Sequence, residues 1–587
     1  DCFIELFLYL VKKFQISPIS LLGDTMTIKL YIQNTAVLSI MALSFACSRA
    51  ASDSASIAKS IKSFSISNIQ SNKFSAKVET ANTLESSDKA TLYYCNHTKV
   101  PDCDPRDWYG IEMDKSGQDF IVDSPTFKFP DDPQDEMNVT VKVEFGSDSV
   151  ERQEVVKLDG PSQIYRSIGV GTTTALETRT SSGTNETVIA DSTITFDSNV
   201  ALNIGIGDAI VVDHDTPVGF EDIFFIRKRI AANQFLLNDK DGEELSSDFD
   251  TITDWQIFRA YSSLPDSNEQ TENTGIPVEV RDFDTSRDAV SDNRAWHFAF
   301  YADAAWNLTT SHSIGGWTLS GDNYLRYFVP FLSTEVGTTQ RHQGQWDSSK
   351  ALVTLVADGD YSWPFMQRFS GKDAVRVEGF QFQLDSNGYN NVYAMRFDSY
   401  QISAENYLYF HNNIVKGVGS GGGSGAVSVS GDGLKAYIFA NIAYDNDGTA
   451  FSLMGEDTIA SHNTSYNNHW NFLSSNSWPS TALANISMNA NQYYYRGAYL
   501  SGSVYNISGV NGPPGESGTI ENALDSEVSF VSTAFGSENL CITDSSIAYI
   551  LGPKMINESD PYKIYYDAAG NVRNPNDLIF PLGACSL

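Results

Sequence analysis

An asparagine followed by a β-branched residue recurs at Asn413-Ile414, Asn441-Ile442, Asn463-Thr464, Asn485-Ile486 and Asn506-Ile507. The spacings are 28, 22, 22 and 21 residues, and a period near 22 fits one coil of a parallel β-helix. The longer first spacing contains the glycine-rich run from Val418 to Gly425, an insertion that a stack of coils tolerates. Asparagine suits the position because its amide bonds the backbone of its own turn and the equivalent amide one coil away. Residue type and spacing recur together, which chance in an Asn-rich chain does not explain. The stack is imperfect: two places before the asparagine, Phe439, Leu483 and Val504 are apolar, whereas His411 and Ser461 are not.

The rest of the chain is read as all-β around this solenoid. Apolar residues alternate at Phe64 and Ile66, at Phe74, Ala76 and Val78, and at Val139, Val141, Val143 and Phe145. That period of two, punctuated by Gly, Asp, Ser and Pro, predicts a β-sandwich over 61–159. A small β-rich domain follows over 160–270, with IGIGDAIVVD, IFFIRKRI and NQFLLND as its strands. Its Gly205 and Gly207 lack the third glycine and following helix of a dinucleotide site and are read as turn residues. The right-handed parallel β-helix is expected over 271–550 and a closing segment over 551–587.

Charge and leader set the address. Lys and Arg total 39 against 73 Asp and Glu, a net −34 that repels phosphate backbones and argues against nucleic acid. The first methionine is Met26, so 1–25 read as upstream translation or a fragment edge. Residues 26–47 then read as a signal peptide: Lys29, an apolar stretch from Ala36 to Ala46, and Cys47. The run LSFAC resembles a bacterial lipobox, which makes Cys47 the lipidated residue, although the leucine sits one place early. Ordinary cleavage after Ala46 is the competing reading. Residues 48–60 are small and polar, a tether. Export implies an oxidising compartment, in which Cys95 with Cys103 and Cys541 with Cys585 are expected as disulfides. The expected location is the cell surface, as an outer-membrane lipoprotein, or the extracellular space, with membrane contact only through the lipid.

Resemblances add detail. The runs FSISNIQSNKFSAKVET, ATLYYCN and MNVTVKVEF resemble fibronectin type III or immunoglobulin-like modules of secreted bacterial proteins, which implies a spacer or a binding module. The segments TENTGIPVEVRDFDT, YADAAW, IGGWTLSGDNYLRYF, VGTTQRHQGQWD and VRVEGFQF look like a group of environmental bacterial β-helix proteins with no assigned activity. The tail DAAGNVRNPNDLIFPLGAC is similar to the closing segment of secreted β-helix proteins. Here Gly583-Ala584-Cys585 replaces the usual Gly-Ala-aromatic-Glu, so closure by the disulfide is expected.

The pectate-lyase-like fold thus implied suggests polysaccharide binding or cleavage along one groove. Uronate β-elimination needs a cation to neutralise the sugar carboxylate and a basic residue to take the adjacent proton. The candidates are Asp445 and Asp447 for a Ca2+ ion, with Lys435 and Arg496 as bases and Lys416 on a nearby coil. Asp445 aligns with Gly417, Asn467 and Asn489, which favours a structural turn. A second calcium-like run, NDKDGEE from Asn238, also lacks a full ligand set. His411 and His462 stand two and one places before their asparagines, so a shared site is disfavoured. Tyr444 and Tyr466, with Tyr493, Tyr494 and Tyr495, are candidates for a sugar-stacking strip, with an internal aromatic stack as the alternative. The leading expectation is therefore a non-enzymatic carbohydrate- or matrix-binding protein. A polysaccharide lyase or glycoside hydrolase comes second, and a purely structural adhesin-like element third.

Overall fold

The computed structural model describes residues 60–69, 73–81, 83–96, 100, 103–107, 109–123, 136–180, 187–213, 222–252, 254–369, 374–399, 406–419, 422–510, 519–550, 566–572 and 582–586. The expected leader, Cys47 and the tether up to residue 59 lie outside them. Strands hold 49% of the described residues and helices 3%, so this part of the chain is all-β. No helix among the described residues is long and apolar enough to cross a membrane.

The first 100 residues of the described part form two antiparallel four-stranded sheets. One contains Ile61–Ser67, Ser75–Thr80, Asp119–Asp123 and Asp114–Ser116; the other contains Tyr109–Glu112, Lys89–Asn96, Glu136–Phe145 and Asp148–Lys157. Alternation places Phe74, Val78, Leu92, Tyr94, Phe120, Val139 and Val141 in one shared core. A disulfide joins Cys95 to Cys103 at the end of a central strand, with Cα atoms 6.4 Å apart.

Past this sandwich the chain is a coiled stack of parallel strands, compatible with a β-helix. Three ladders are visited in turn, coil after coil. The first runs through Ser162–Ile168, Arg294–Phe300, Leu325–Phe328, Ala374–Glu378 and Asn406–His411, then the later halves of Ser424–Phe439 and Thr449–Ser461, and ends at Thr481–Leu483. The second runs from Trp306–Leu308 through Leu352–Val356, Gln381–Asp385, Ile414–Gly417, Ile442–Tyr444, Thr464–Tyr466 and Ile486–Met488 to Ile507–Ser508. The third links Ser313–Ile314, Phe365–Phe369, Val392–Ser399, the earlier halves of the two long strands, Trp470–Ser474 and Tyr493–Arg496. Every pairing within these ladders is parallel, so like residues stack. Phe451, Phe472 and Tyr495 form an internal column with rings 4.9 Å apart at both steps.

The asparagines occupy the turn from the first ladder to the second. Each is preceded by a residue in the left-handed region: Asn412, Ala440, His462, Ala484 and Tyr505, with φ between 53° and 58°. A non-glycine residue there costs on the order of 1 kcal/mol, and the asparagine offsets it. In every step from Asn413 to Asn506 the main-chain and side-chain N–H groups of one asparagine both donate to Oδ1 of the next, at 2.9 to 3.1 Å. The amides also donate to backbone carbonyls, such as that of Ile438 from Asn463 at 2.8 Å. All five are fully buried.

Two boundaries differ from the sequence reading. Ser162–Ile168 pairs in parallel with Arg294–Phe300, so the stack begins at 162 and not at 271. The eight-stranded antiparallel sheet from Glu177 to Phe258 is an insertion between those two strands. It joins the stack through buried ion pairs. Arg259 contacts Asp208 at 2.7 Å and Asp303 at 2.8 Å, and its guanidinium lies 3.5 Å from the Tyr301 ring centre. From the stack, Arg166 donates to the Lys240 carbonyl of the insertion at 2.8 Å while holding Asp284 at 2.7 Å. The insertion's own period-two hairpins concealed the interruption. The closing segment also starts earlier than expected, because the last ladder strand is Ile507–Ser508. Residues of 523–585, among them Ala523, Val528, Leu540, Ala568, Leu582 and Ala584, pack on Ile414, Ile442, Ile486 and Ile507 on the outside of the second ladder. The Cys541–Cys585 disulfide lies within that cluster.

Candidate carbohydrate-binding face

Of the three outer surfaces, the second ladder's is occupied. Tyr444 and Tyr466 point outward there, yet the closing segment leaves them 1% and 9% exposed. The Tyr466 ring meets Phe530 edge-on, and burial pushes the Tyr444 phenol up. These two residues are therefore neither an open sugar strip nor an internal stack: they are the floor beneath the closing segment. Tyr494 does not extend them, since its ring packs over Gly509, where an added Cβ would lie 2.7 Å from Tyr494 Cε1.

The carboxylates form no cation site. Asp445 is in the left-handed conformation at the turn from the second ladder to the third and accepts from Asn467 Nδ2 at 2.6 Å. Asn489 donates in turn to Asn467, so this is an exposed side-chain ladder. The Asp445 carboxyl also meets Glu538 of the closing segment, and burial pushes it up. Lys416 Nζ stands 3.5 Å from Glu538, and its positive charge also acts on the Asp445 carboxyl. Asp447 uses its backbone N–H on Ser424 Oγ at 3.2 Å. In the second calcium-like run, Asp239 Oδ1 accepts the backbone N–H groups of Asp241 and Glu243 and so closes its own turn. Among the described residues no three His, Cys, Asp or Glu side chains are grouped to hold a metal.

The proposed bases and histidines are dispersed as well. Lys435 is on the outside of the first ladder, 5.6 Å from the Tyr407 ring centre. His411 lies on the same side, stacked on Phe439 at 4.5 Å, with Nε2 2.7 Å from Glu378 and Nδ1 2.6 Å from Asn412 Oδ1. Burial holds its pKa below the usual imidazole range, although Glu378 pulls the other way. His462 is the left-handed turn residue before Asn463, and its backbone N–H donates to Leu483. Phe439 and Ser461 follow His411 in register, so His462 lies two coils away, about 10 Å. Arg496 belongs to the third ladder. Asp445, Asp447, Lys435 and Arg496 thus occupy different faces, and the elimination site they were to build is not assembled.

The third ladder's outer surface carries Trp470, missed in the sequence, beside Tyr493 and Arg496, which the sequence reading named without bringing them together. Met395 and Phe397 point into the core, so Arg396 between them points out. In register with it, one per coil, stand Ser428, Ser452, Leu473 and Arg496. A neighbouring column pairs Tyr393 with Gly425, and Thr449 with Trp470 and Tyr493. Glycine is required at 425, because a Cβ there would lie 1.9 Å from the Thr449 carbonyl and 2.8 Å from the Tyr393 ring.

An arginine rests on aromatic rings at each end. Arg396 lies 4.9 Å from the centre of Trp363 and 5.5 Å from that of Tyr361, which is 55% exposed. Arg496 lies 4.4 Å from Trp470 and 5.0 Å from Tyr493, which is 45% exposed. Trp470 is held by its indole N–H, which donates to Gln492 Oε1 at 2.8 Å, and by His469 stacked at 5.6 Å. Such a surface offers flat apolar faces for the C–H side of a pyranose and fixed N–H donors for its hydroxyls. Counting along each coil from the asparagine would have found it: Trp470 follows Asn463 by seven residues and Tyr493 follows Asn485 by eight.

No family, no curated protein and no solved structure matches this chain.

Proposed function

We propose that the chain is an exported, right-handed parallel β-helix protein of the pectate-lyase-like type that binds a surface or matrix polysaccharide without cleaving it. The right hand follows from the strong preference of parallel β-crossovers for that sense. Export agrees with the two disulfides, which suit an oxidising compartment. Lipidation at Cys47 would tether the protein, with the fibronectin-like sandwich as spacer.

The observation that carries the reading is the exposed Arg496, Trp470 and Tyr493 cluster in register with Arg396 and its rings. Between the two arginines the column holds Ser428 and Ser452, both buried, and Leu473, so no aromatic or charged side chain of that column separates the two ring clusters. Affinity electrophoresis in gels cast with different polysaccharides tests it. Retardation by at least one glycan, reduced about tenfold or more in Trp470→Ala with an unchanged melting temperature, is expected. Equal migration of both proteins in every gel sinks the reading.

A further inference from the structure

The two ends of this surface differ in charge. Arg396 Nε donates to the Asp398 carboxylate at 2.8 Å, and Asp398 also accepts from Ser430 Oγ at 2.9 Å. Its charge is neutralised within the same ladder. Arg496, at the other end, has no carboxylate within ion-pair distance among the described residues, and it is exposed in a chain of net charge −34. A guanidinium lying on an indole presents its N–H edge to solvent and loses little side-chain entropy on binding, because the ring already holds it. The intervening steps are four, a span of about 19 Å along the stack at ordinary inter-strand spacing.

We infer that the ligand is a short linear stretch of glycan lying parallel to the stack axis, neutral where it crosses Arg396 and carrying one anionic group where it crosses Arg496. The inference rests on the glycan-binding reading above. At the Arg396 end the buried Asp398 already neutralises the guanidinium, so an anionic sugar finds no unpaired charge there. A neutral sugar would instead offer hydroxyl oxygens to the guanidinium N–H groups of Arg396 that Asp398 leaves over. At the Arg496 end a carboxylate or sulfate gains a charge-assisted contact that nothing else in the site supplies.

Titration of the intact protein with four tetrasaccharides separates the possibilities: one neutral, one anionic at every unit, and two bearing a single anionic group at either the reducing or the non-reducing end. One singly charged form is expected to bind about tenfold more tightly than the neutral and the fully charged ones. Arg496→Gln should erase that preference, while Asp398→Asn should raise the affinity of the fully charged form. Equal affinity for all four overturns the charge asymmetry but leaves glycan binding intact. Binding of none overturns both.

Discussion

Asn441 gives both its backbone N–H and its side-chain N–H to a single atom, Oδ1 of Asn463, each at 3.0 Å. Asn463 repeats the arrangement toward Asn485. Removing one amide therefore strands donors on one coil and an acceptor on another, with no water to replace them.

Asn463→Ala should destabilise the stack by about 3 kcal/mol, since each buried polar group left unpaired costs roughly 1 to 3 kcal/mol. Asn463→Asp should be at least as harmful, because it keeps the acceptor but loses two donors and buries a charge. Urea unfolding of the two variants against the parent checks both. A change under about 0.5 kcal/mol for the alanine would mean that the ladder records the fold and does not support it.

The closing segment is held over the second ladder by more than apolar contact. The disulfide closes a loop spanning 44 residues in sequence, which chain-entropy arguments value at about 4 kcal/mol. Replacing Cys541 and Cys585 by serine should expose Tyr444 and Tyr466, seen as protease cleavage within 519–550 and a rise in tyrosine solvent accessibility. The ladder core should stay protected from hydrogen exchange.

A pH dependence follows from Asp445 against Glu538. The Asp445 pKa is raised, by burial first and with Glu538 adding to it, so the folded protein holds that proton more tightly than the unfolded chain. Its favourable contribution is complete below the ordinary value of 3.8 and is lost as pH rises through the raised one. Glu538 moves the opposite way, held down by backbone hydrogen bonds and Lys416 against its own desolvation, and its contribution fades in acid. The two trends oppose each other, so the test is the difference between variant and parent: with rates divided by the intrinsic, base-catalysed rate at each pH, Asp445→Asn should raise protection of 530–542 more at neutral than at mildly acidic pH. An unchanged slope in the variant would assign the trend to other groups.

Much of the architecture was legible because a parallel stack writes its period into the sequence. Asn413 to Asn506 recur at nearly constant spacing, and the structure places them in one hydrogen-bonded column. The left-handed residue before each was not legible, since Asn, Ala, His and Tyr share no propensity that marks it; the requirement comes from the turn between two ladders. Tyr444 and Tyr466 misled for a related reason. Register shows that they align but not that a segment roughly 60 to 95 residues further on lies over them. Trp470 was not joined to Tyr493 and Arg496 because it belongs to the preceding coil, and that alignment follows strand pairing rather than nearness in sequence.

Lys435 provides the sharpest separation between binding and elimination. It shares neither a face nor a register column with Arg496, and its ammonium is placed over Tyr407 on the first ladder. If the third ladder's surface takes the glycan, Lys435→Met should leave affinity within about twofold, and its effect should add to that of Trp470→Ala without coupling, as expected of distant sites. A uronate lyase using Lys435 as base predicts instead that the variant abolishes release of unsaturated products and that chelator does the same in the parent. Ultraviolet absorbance of digests measures that release directly. Product that vanishes with Lys435→Met would move the functional surface to the first ladder, beside Glu378 and His411.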